Sequence, residues 1–124
     1  MKRKRIKQRA AVGRLGKFLT RRSGGRCELC EDRAGLQGFE LVPFSDEPTM
    51  ERSLLACARC REWLERGGVD PIQARFLESA VWSQEPAVRL AAARLLLVVD
   101  DLSDPWLQDA LDAAGVDPVT QELR

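Results

Sequence analysis

The chain has 124 residues, of which 44% are hydrophobic and 31% charged, the composition of a soluble globular protein with one modest core. No apolar run approaches the ~20 residues of a membrane span, and no apolar h-region with a cleavage site follows the basic N-terminus, so the expected location is cytoplasmic. There is no histidine and no tyrosine, which removes the commonest general base and leaves mainly carboxylates for proton transfer. The net charge of +1 hides an asymmetry: residues 1–26 hold 11 of the 20 Lys and Arg residues and no acid, whereas residues 27–124 hold 9 against all 19 Asp and Glu residues. A basic arm precedes an acidic body.

In chain order, the arm comes first. Lys2, Arg3, Lys4, Arg5 and Lys7 form a dense cationic cluster, followed by Arg9, Arg14 and Lys17. Blocks of this kind contact nucleic acid or another acidic surface. Ile6, Ala10, Ala11, Leu15, Phe18 and Leu19 recur at spacings of three and four, which predicts a basic amphipathic helix from about residue 8 to 22, weakened by Gly13 and Gly16. The same helix could instead pack on the following module through Leu15, Phe18 and Leu19, leaving its basic residues solvated; the two readings are compatible.

Ser23-Gly24-Gly25 breaks that helix and leads into Cys27-Glu28-Leu29-Cys30. Leu36 to Phe44 reads as a strand interrupted at Pro43, and Ser53-Leu54-Leu55-Ala56 as a strand that pairs back on it. Cys57-Ala58-Arg59-Cys60 then opens a helix that runs to Arg66 and stops at Gly67-Gly68. The remainder reads as helices. Asp70-Pro71 starts one that continues to Trp82, Ser83 caps another that reaches about Asp101, Asp104-Pro105 starts a third that ends at Gly115, and Asp117-Pro118 begins a final short turn.

The four cysteines carry the chemistry. They are two Cys-x-x-Cys pairs separated by 26 residues. Thiolates at i and i+3 reach one ion from a tight knuckle, and two knuckles complete the closed tetrahedron of structural zinc. Cys27, Cys30, Cys57 and Cys60 are therefore the expected ligands of Zn2+, with a rubredoxin-like iron as the other ion that four sulfurs suit. A thiol–disulfide centre is the remaining alternative, but doubled pairs around a hairpin without a βαβ context favour metal. A catalytic zinc keeps a position for water, and an HNH-type nuclease needs histidine; neither fits this chain. Arg26, Arg33, Arg59 and Arg61 lie close to the cysteines in sequence and could offset a centre to which four thiolates and one divalent ion give a charge of about −2. The carboxylates Asp100, Asp101, Asp104, Asp109 and Asp112 read as helix-start and surface groups. Trp63, Trp82 and Trp106 read as core residues, with base stacking as the alternative.

The stretches Arg22–Cys30, Leu54–Cys60 and Trp82–Val88, with Leu95-Leu96, Trp106 and Asp117–Thr120, resemble the N-terminal zinc-binding region of PhnA-type, alkylphosphonate-utilisation-associated proteins. The resemblance spans about Leu19 to Thr120. It implies a metal-ligand role for Cys27, Cys30, Cys57 and Cys60, and it implies no enzymatic role. Relatives of this kind continue into a small C-terminal β-barrel that this sequence lacks, and the arm of residues 1–17 looks like an addition.

The expected architecture is α+β: a small treble-clef or zinc-ribbon-like module followed by an α-helical bundle. Residues 1–18 form a partly helical basic arm, residues 19–68 the four-cysteine module, and residues 69–124 the bundle packed on it. The expected function is non-enzymatic: a structural four-cysteine zinc site with nucleic acid bound through Lys2, Arg3, Lys4, Arg5, Lys7, Arg9, Arg14 and Lys17. A protein-interaction module in a bacterial phosphonate-related or regulatory context is the alternative, and a thiol–disulfide protein the third. No membrane partner and no small-molecule substrate are inferred.

Overall fold

A computed structural model describes residues 12–99, 105–115, 117, 120 and 122. Within them the chain is a mixed α+β fold with a two-stranded antiparallel sheet and five α-helices. The order is α1 (Gly16–Ser23), β1 (Gln37–Glu40), a 3-10 turn (Met50–Arg52), β2 (Ser53–Ala56), α2 (Ala58–Arg66), α3 (Leu77–Ala80), α4 (Pro86–Leu97) and α5 (Pro105–Ala114). None of the described helices is long and apolar enough to cross a membrane.

Helix α1 ends where the glycines require it. Gly24 and Gly25 both adopt positive φ, 71° and 73°, a region closed to most side chains. The Gly25 amide donates back to the Thr20 carbonyl and to Ser23 Oγ, closing the helix before the first cysteine. Leu19 is fully buried beneath α1 while Phe18 on the same helix is half-exposed, so the helix covers the sheet through a narrow stripe. Gly38 shows how close that approach is: a Cβ there would lie 2.9 Å from Val12 Cγ1 and 3.2 Å from Leu19 Cδ1. The first residues of the predicted helix, 8–11, fall outside the described residues.

The hairpin register pairs Gln37 with Ala56, Gly38 with Leu55, Phe39 with Leu54 and Glu40 with Ser53. Strand β1 is shorter than the predicted Leu36–Phe44 run, ending before Pro43, whose peptide bond to Val42 is cis. All four residues of β2 are buried, because α1 packs beside the hairpin and α4 reaches across to β2.

Helix α4 is the hub of the core. Ala87, Val88, Leu90, Ala91, Ala92, Ala93, Leu95 and Leu96 are all buried, so the helix is apolar almost all the way round, as a central helix must be. It touches α5, α3, α2, β2 and the 3-10 turn. Its runs of alanine let these neighbours approach closely. One contiguous apolar core joins Leu29, Leu41, Leu54 and Trp63 to Val88, Leu95 and Leu107, so the cysteine-bearing residues and the helices share an interior. An isolated parallel bridge between Val69 and Val99 ties the segment after α2 to the end of α4.

Two helix expectations change. The helix predicted from Asp70-Pro71 is a run of turns followed by the four-residue α3. Asp70 does act on the chain as expected, accepting from the Ile72 amide at 2.9 Å, but between Asp70 and Phe76 only Ala74 is buried while Ile72 stays 87% exposed, too little burial to hold the first turns as a helix. Before α4, Glu85 rather than Ser83 holds the cap position with Pro86 at the first turn, and Ser83 Oγ instead accepts from the Glu85 amide in a local turn.

Candidate metal centre

The four cysteines meet. Their Sγ atoms all lie within 4.8 Å of one another, and those of Cys30 and Cys57 are 3.6 Å apart. Zn–S bonds of about 2.3 Å would place the sulfurs of a tetrahedral site about 3.8 Å apart, so the set matches the size of a four-thiolate cage. A disulfide needs sulfurs about 2.05 Å apart, and all four cysteines are free thiols. Cys27, Cys57 and Cys60 are buried and Cys30 is partly exposed.

Each pair is positioned by local backbone. In the first knuckle the Glu31 amide donates to the Cys27 carbonyl at 2.9 Å, and the Cys27 amide donates to the Asp32 carbonyl at 2.7 Å. Glu31 adopts φ 69° without being glycine, a costly conformation that turns the chain just after Cys30 and lets the Asp32 carbonyl reach the Cys27 amide. In the second pair, Cys57 has extended dihedrals at the cap of α2, and Cys60 sits in the first turn of that helix. A helix N-terminus favours thiolate over thiol.

The electrostatics are those of thiols crowded out of water. The Cys60 thiol donates to Cys27 and lowers it to about 4, against the opposing effect of burial. The same hydrogen bond, with burial added, pushes Cys60 far above its ordinary value. Burial raises Cys30 to about 11. Four thiolates cannot stand this close together in a partly dry site without a cation, so an ion bound there displaces protons. Zinc fits this donor set: four soft sulfurs gathered in a closed, mostly buried group are compatible with a structural site.

Of the four arginines near the cysteines in sequence, Arg59 engages the centre. Its guanidinium lies 5.0 Å over the Trp63 ring and 5.5 Å over the Phe76 ring, and those rings stack at 6.2 Å with 8° between their planes. Burial pulls Arg59 down, but the charges of Cys30 and Cys60 outweigh it and hold the guanidinium above its ordinary value. Arg61 turns elsewhere, donating to the carbonyls of Ala56 and Gly35. Arg26 and Arg33 are exposed.

The polar clamp that holds the first knuckle was not visible in the pattern of residues. Arg22, at the end of α1, donates through Nε and Nη2 to the two carboxylate oxygens of Glu28 at 2.8 and 2.9 Å. The same guanidinium reaches the carbonyls of Met50 at 3.0 Å and Ser53 at 2.8 Å. Glu28 exchanges two hydrogen bonds with Leu55: its amide donates to the Leu55 carbonyl at 2.8 Å, and its Oε1 accepts from the Leu55 amide at 2.9 Å. The Arg22 and Glu28 side chains are only 14% and 6% exposed. A bidentate, nearly buried pair with its spare donors satisfied ties α1, the knuckle and β2 together. The one available signal was the position of Glu28 between two ligands.

The cationic residues of the arm divide. Lys2, Arg3, Lys4, Arg5, Lys7 and Arg9 lie outside the described residues, whereas Arg14 and Lys17 are exposed to solvent. Trp63 and Trp106 are buried as core residues, but Trp82 is 71% exposed, against expectation; it follows the short α3, where the chain turns away from the core. Comparison with known protein families found no match, and neither a curated protein nor a solved structure matched the chain.

Proposed function

We propose that this chain is a non-enzymatic binding protein built on a structural zinc ion held by Cys27, Cys30, Cys57 and Cys60. The observation that carries it is the gathering of all four sulfurs within 4.8 Å, three of them on buried residues. A sequence with four cysteines and no histidine has a closed donor set, which leaves the ion no position for water. The order of knuckle, hairpin and a helix opening on the second pair supports a treble-clef reading, similar to the zinc region of PhnA-type proteins. Native mass spectrometry of protein purified without added metal, with elemental analysis, tests this: one zinc per chain is expected. Two intramolecular disulfides that persist under reducing conditions would sink it.

The basic arm is the proposed contact for nucleic acid. Eleven cationic residues in residues 1–26 with no acid among them would release several counterions, so binding should fall steeply with salt. The acidic remainder of the chain confines that contact to the arm. Replacing Lys2, Arg3, Lys4, Arg5 and Lys7 by Gln in the full chain should flatten the salt dependence of affinity for both DNA and RNA. Unchanged affinity would remove the arm from the reading.

A protein partner for the helical half is the second reading. Ile72 and Trp82 favour it, being large apolar side chains that remain 87% and 71% exposed.

A further inference from the structure

Two arginines converge on one carboxylate. Arg52 Nη1 donates to Glu122 Oε2 and Arg94 Nη2 to Glu122 Oε1, each at 3.0 Å. Their other terminal nitrogens meet at the Val42 carbonyl, at 2.7 Å from Arg52 and 2.6 Å from Arg94. The carboxylate is thus held as an anionic ligand would be, one oxygen per guanidinium. The Arg94 side chain is 13% exposed, whereas the Glu122 side chain that neutralises it is 40% exposed. Burial, with the neighbouring Arg52, holds Arg94 below its ordinary value, and Glu122 offsets only part of this. Two like charges this close require an anion between them.

Arg94 and Val42 also line a cleft of about 350 Å³. Its walls are mostly apolar, with Phe39, Leu41, Phe44, Leu64, Leu95 and Val98 among them. The acids on its lining are Glu40 and Glu65, against Arg61, Arg66 and Arg94. Glu40 is turned to the Ser45 amide and hydroxyl, from which it accepts at 3.1 and 2.9 Å. Arg52 lies off the lining but is joined to Arg94 through Glu122 and the Val42 carbonyl, so an apolar chamber whose lining carries Arg94 is complementary to a molecule with an apolar body and an acidic head.

We propose that Arg52 and Arg94 form a binding site for a small amphipathic carboxylate, whose apolar body fills the cleft and whose head group replaces Glu122. Glu122 is then an internal competitor: it closes the site with a carboxylate of its own and leaves when a ligand carboxylate arrives.

Decanoate is the probe, with decanol as its neutral counterpart, titrated by calorimetry against the full-length, metal-loaded chain. Glu122→Gln keeps the side-chain size and removes the competing charge, so it should bind decanoate about five- to tenfold more tightly than the unaltered chain, the effect of one partly exposed ion pair. Arg94→Gln should abolish saturable binding. If that variant does not fold, Arg52→Gln, on a side chain already 31% exposed, should weaken binding about tenfold, as loss of one of two charge-assisted contacts does. The proposal is overturned if decanol binds as well as decanoate, if Glu122→Gln gains nothing over the unaltered chain, or if neither binds. A Glu122→Gln chain that dimerises in native mass spectrometry without taking up decanoate would assign the arginine pair to a second copy instead, and equally overturn it.

Discussion

Between Cys27 and Arg66 three of the buried residues are cysteines, and the buried polar residues Glu40 and Ser53 both fall there. Between Leu77 and Ala114 the buried residues are Leu, Ala, Val and one Trp, and the described residues include no buried charge. The two regions share an interior through α4, yet they are held by different physics. The helical half buries apolar surface in bulk, and a helix such as α4 stands on packing alone. The hairpin half has two strands of four residues, too little sheet to be stable unaided. The Arg22–Glu28 clamp ties that small core to α1, and the four gathered sulfurs are placed to add the bonds of a metal ion. A short segment can thus be made rigid without being made large.

The sharpest way to break the comparison is to remove a ligand. Cys60→Ser should unfold at least residues 20–66, since the binding energy of a structural zinc is folding energy, about 10–16 kcal/mol in small zinc peptides. Hydrogen exchange should show residues 20–66 losing protection well before α4 and α5; uniform loss across both halves would mean that they are one cooperative unit. Acid should act in the same direction as the substitution. Cys30, raised to about 11, and Cys60, raised further, are protonated at neutral pH in the metal-free fold, whereas Cys27, lowered to about 4, is not. Binding must therefore expel the protons of Cys30 and Cys60, at least about two per ion near pH 7. Affinity rises with pH and falls as acid is added. Calorimetry in buffers of different ionisation enthalpy counts those protons, and a count near zero would contradict the thiol assignment.

Next in size is the clamp. Glu28→Gln takes the bidentate carboxylate from the Arg22 guanidinium and leaves it only the longer contact to Glu85 at 3.6 Å, which should cost about 3 kcal/mol in denaturant unfolding, the low end for breaking a buried pair, while metal stoichiometry stays at one. In the helical half, Leu107→Ala, at a fully buried position on α5, should cost about 2–5 kcal/mol and leave metal affinity unchanged, because α5 has no part in the knuckles. A loss of metal affinity in that variant would show that the two halves are coupled through α4. The smallest effect has the opposite sign. Ser53 is fully buried and its Oγ has no hydrogen-bond partner among the described residues, so Ser53→Ala should stabilise the hairpin by about 1 kcal/mol. A lower melting temperature would reveal a partner for that hydroxyl.

What could be read from the sequence follows the range of the interactions. Cys27 and Cys30, Cys57 and Cys60, the glycine stop after α1 and the start of α2 are local patterns, set by residues within one turn of each other, and each has its structural counterpart. The hairpin between the pairs was legible because β2 is a compact apolar run that folds back on its partner. Interactions that join distant residues left no periodic trace. Arg22 reaches 31 residues to Ser53, and Arg52 reaches 70 residues to Glu122; from spacing alone these are ordinary surface charges. The exposure of Trp82 escaped for the reverse reason. A tryptophan near a helix suggests core, and only the early end of α3 shows that this one has no core to enter.

The two hydrogen bonds between Glu28 and Leu55 have a consequence beyond holding the knuckle. The outward-facing backbone groups of a border strand are a template on which another chain can pair and aggregate. On β2 the Leu55 amide and carbonyl are already taken by the Glu28 side chain and backbone, and the Ser53 carbonyl by Arg22. A single residue, using its carboxylate where a strand would use a carbonyl, therefore ends the sheet on that side. The β2 edge of the hairpin is thus closed to a neighbour's strand by the same segment that carries the first pair of sulfurs.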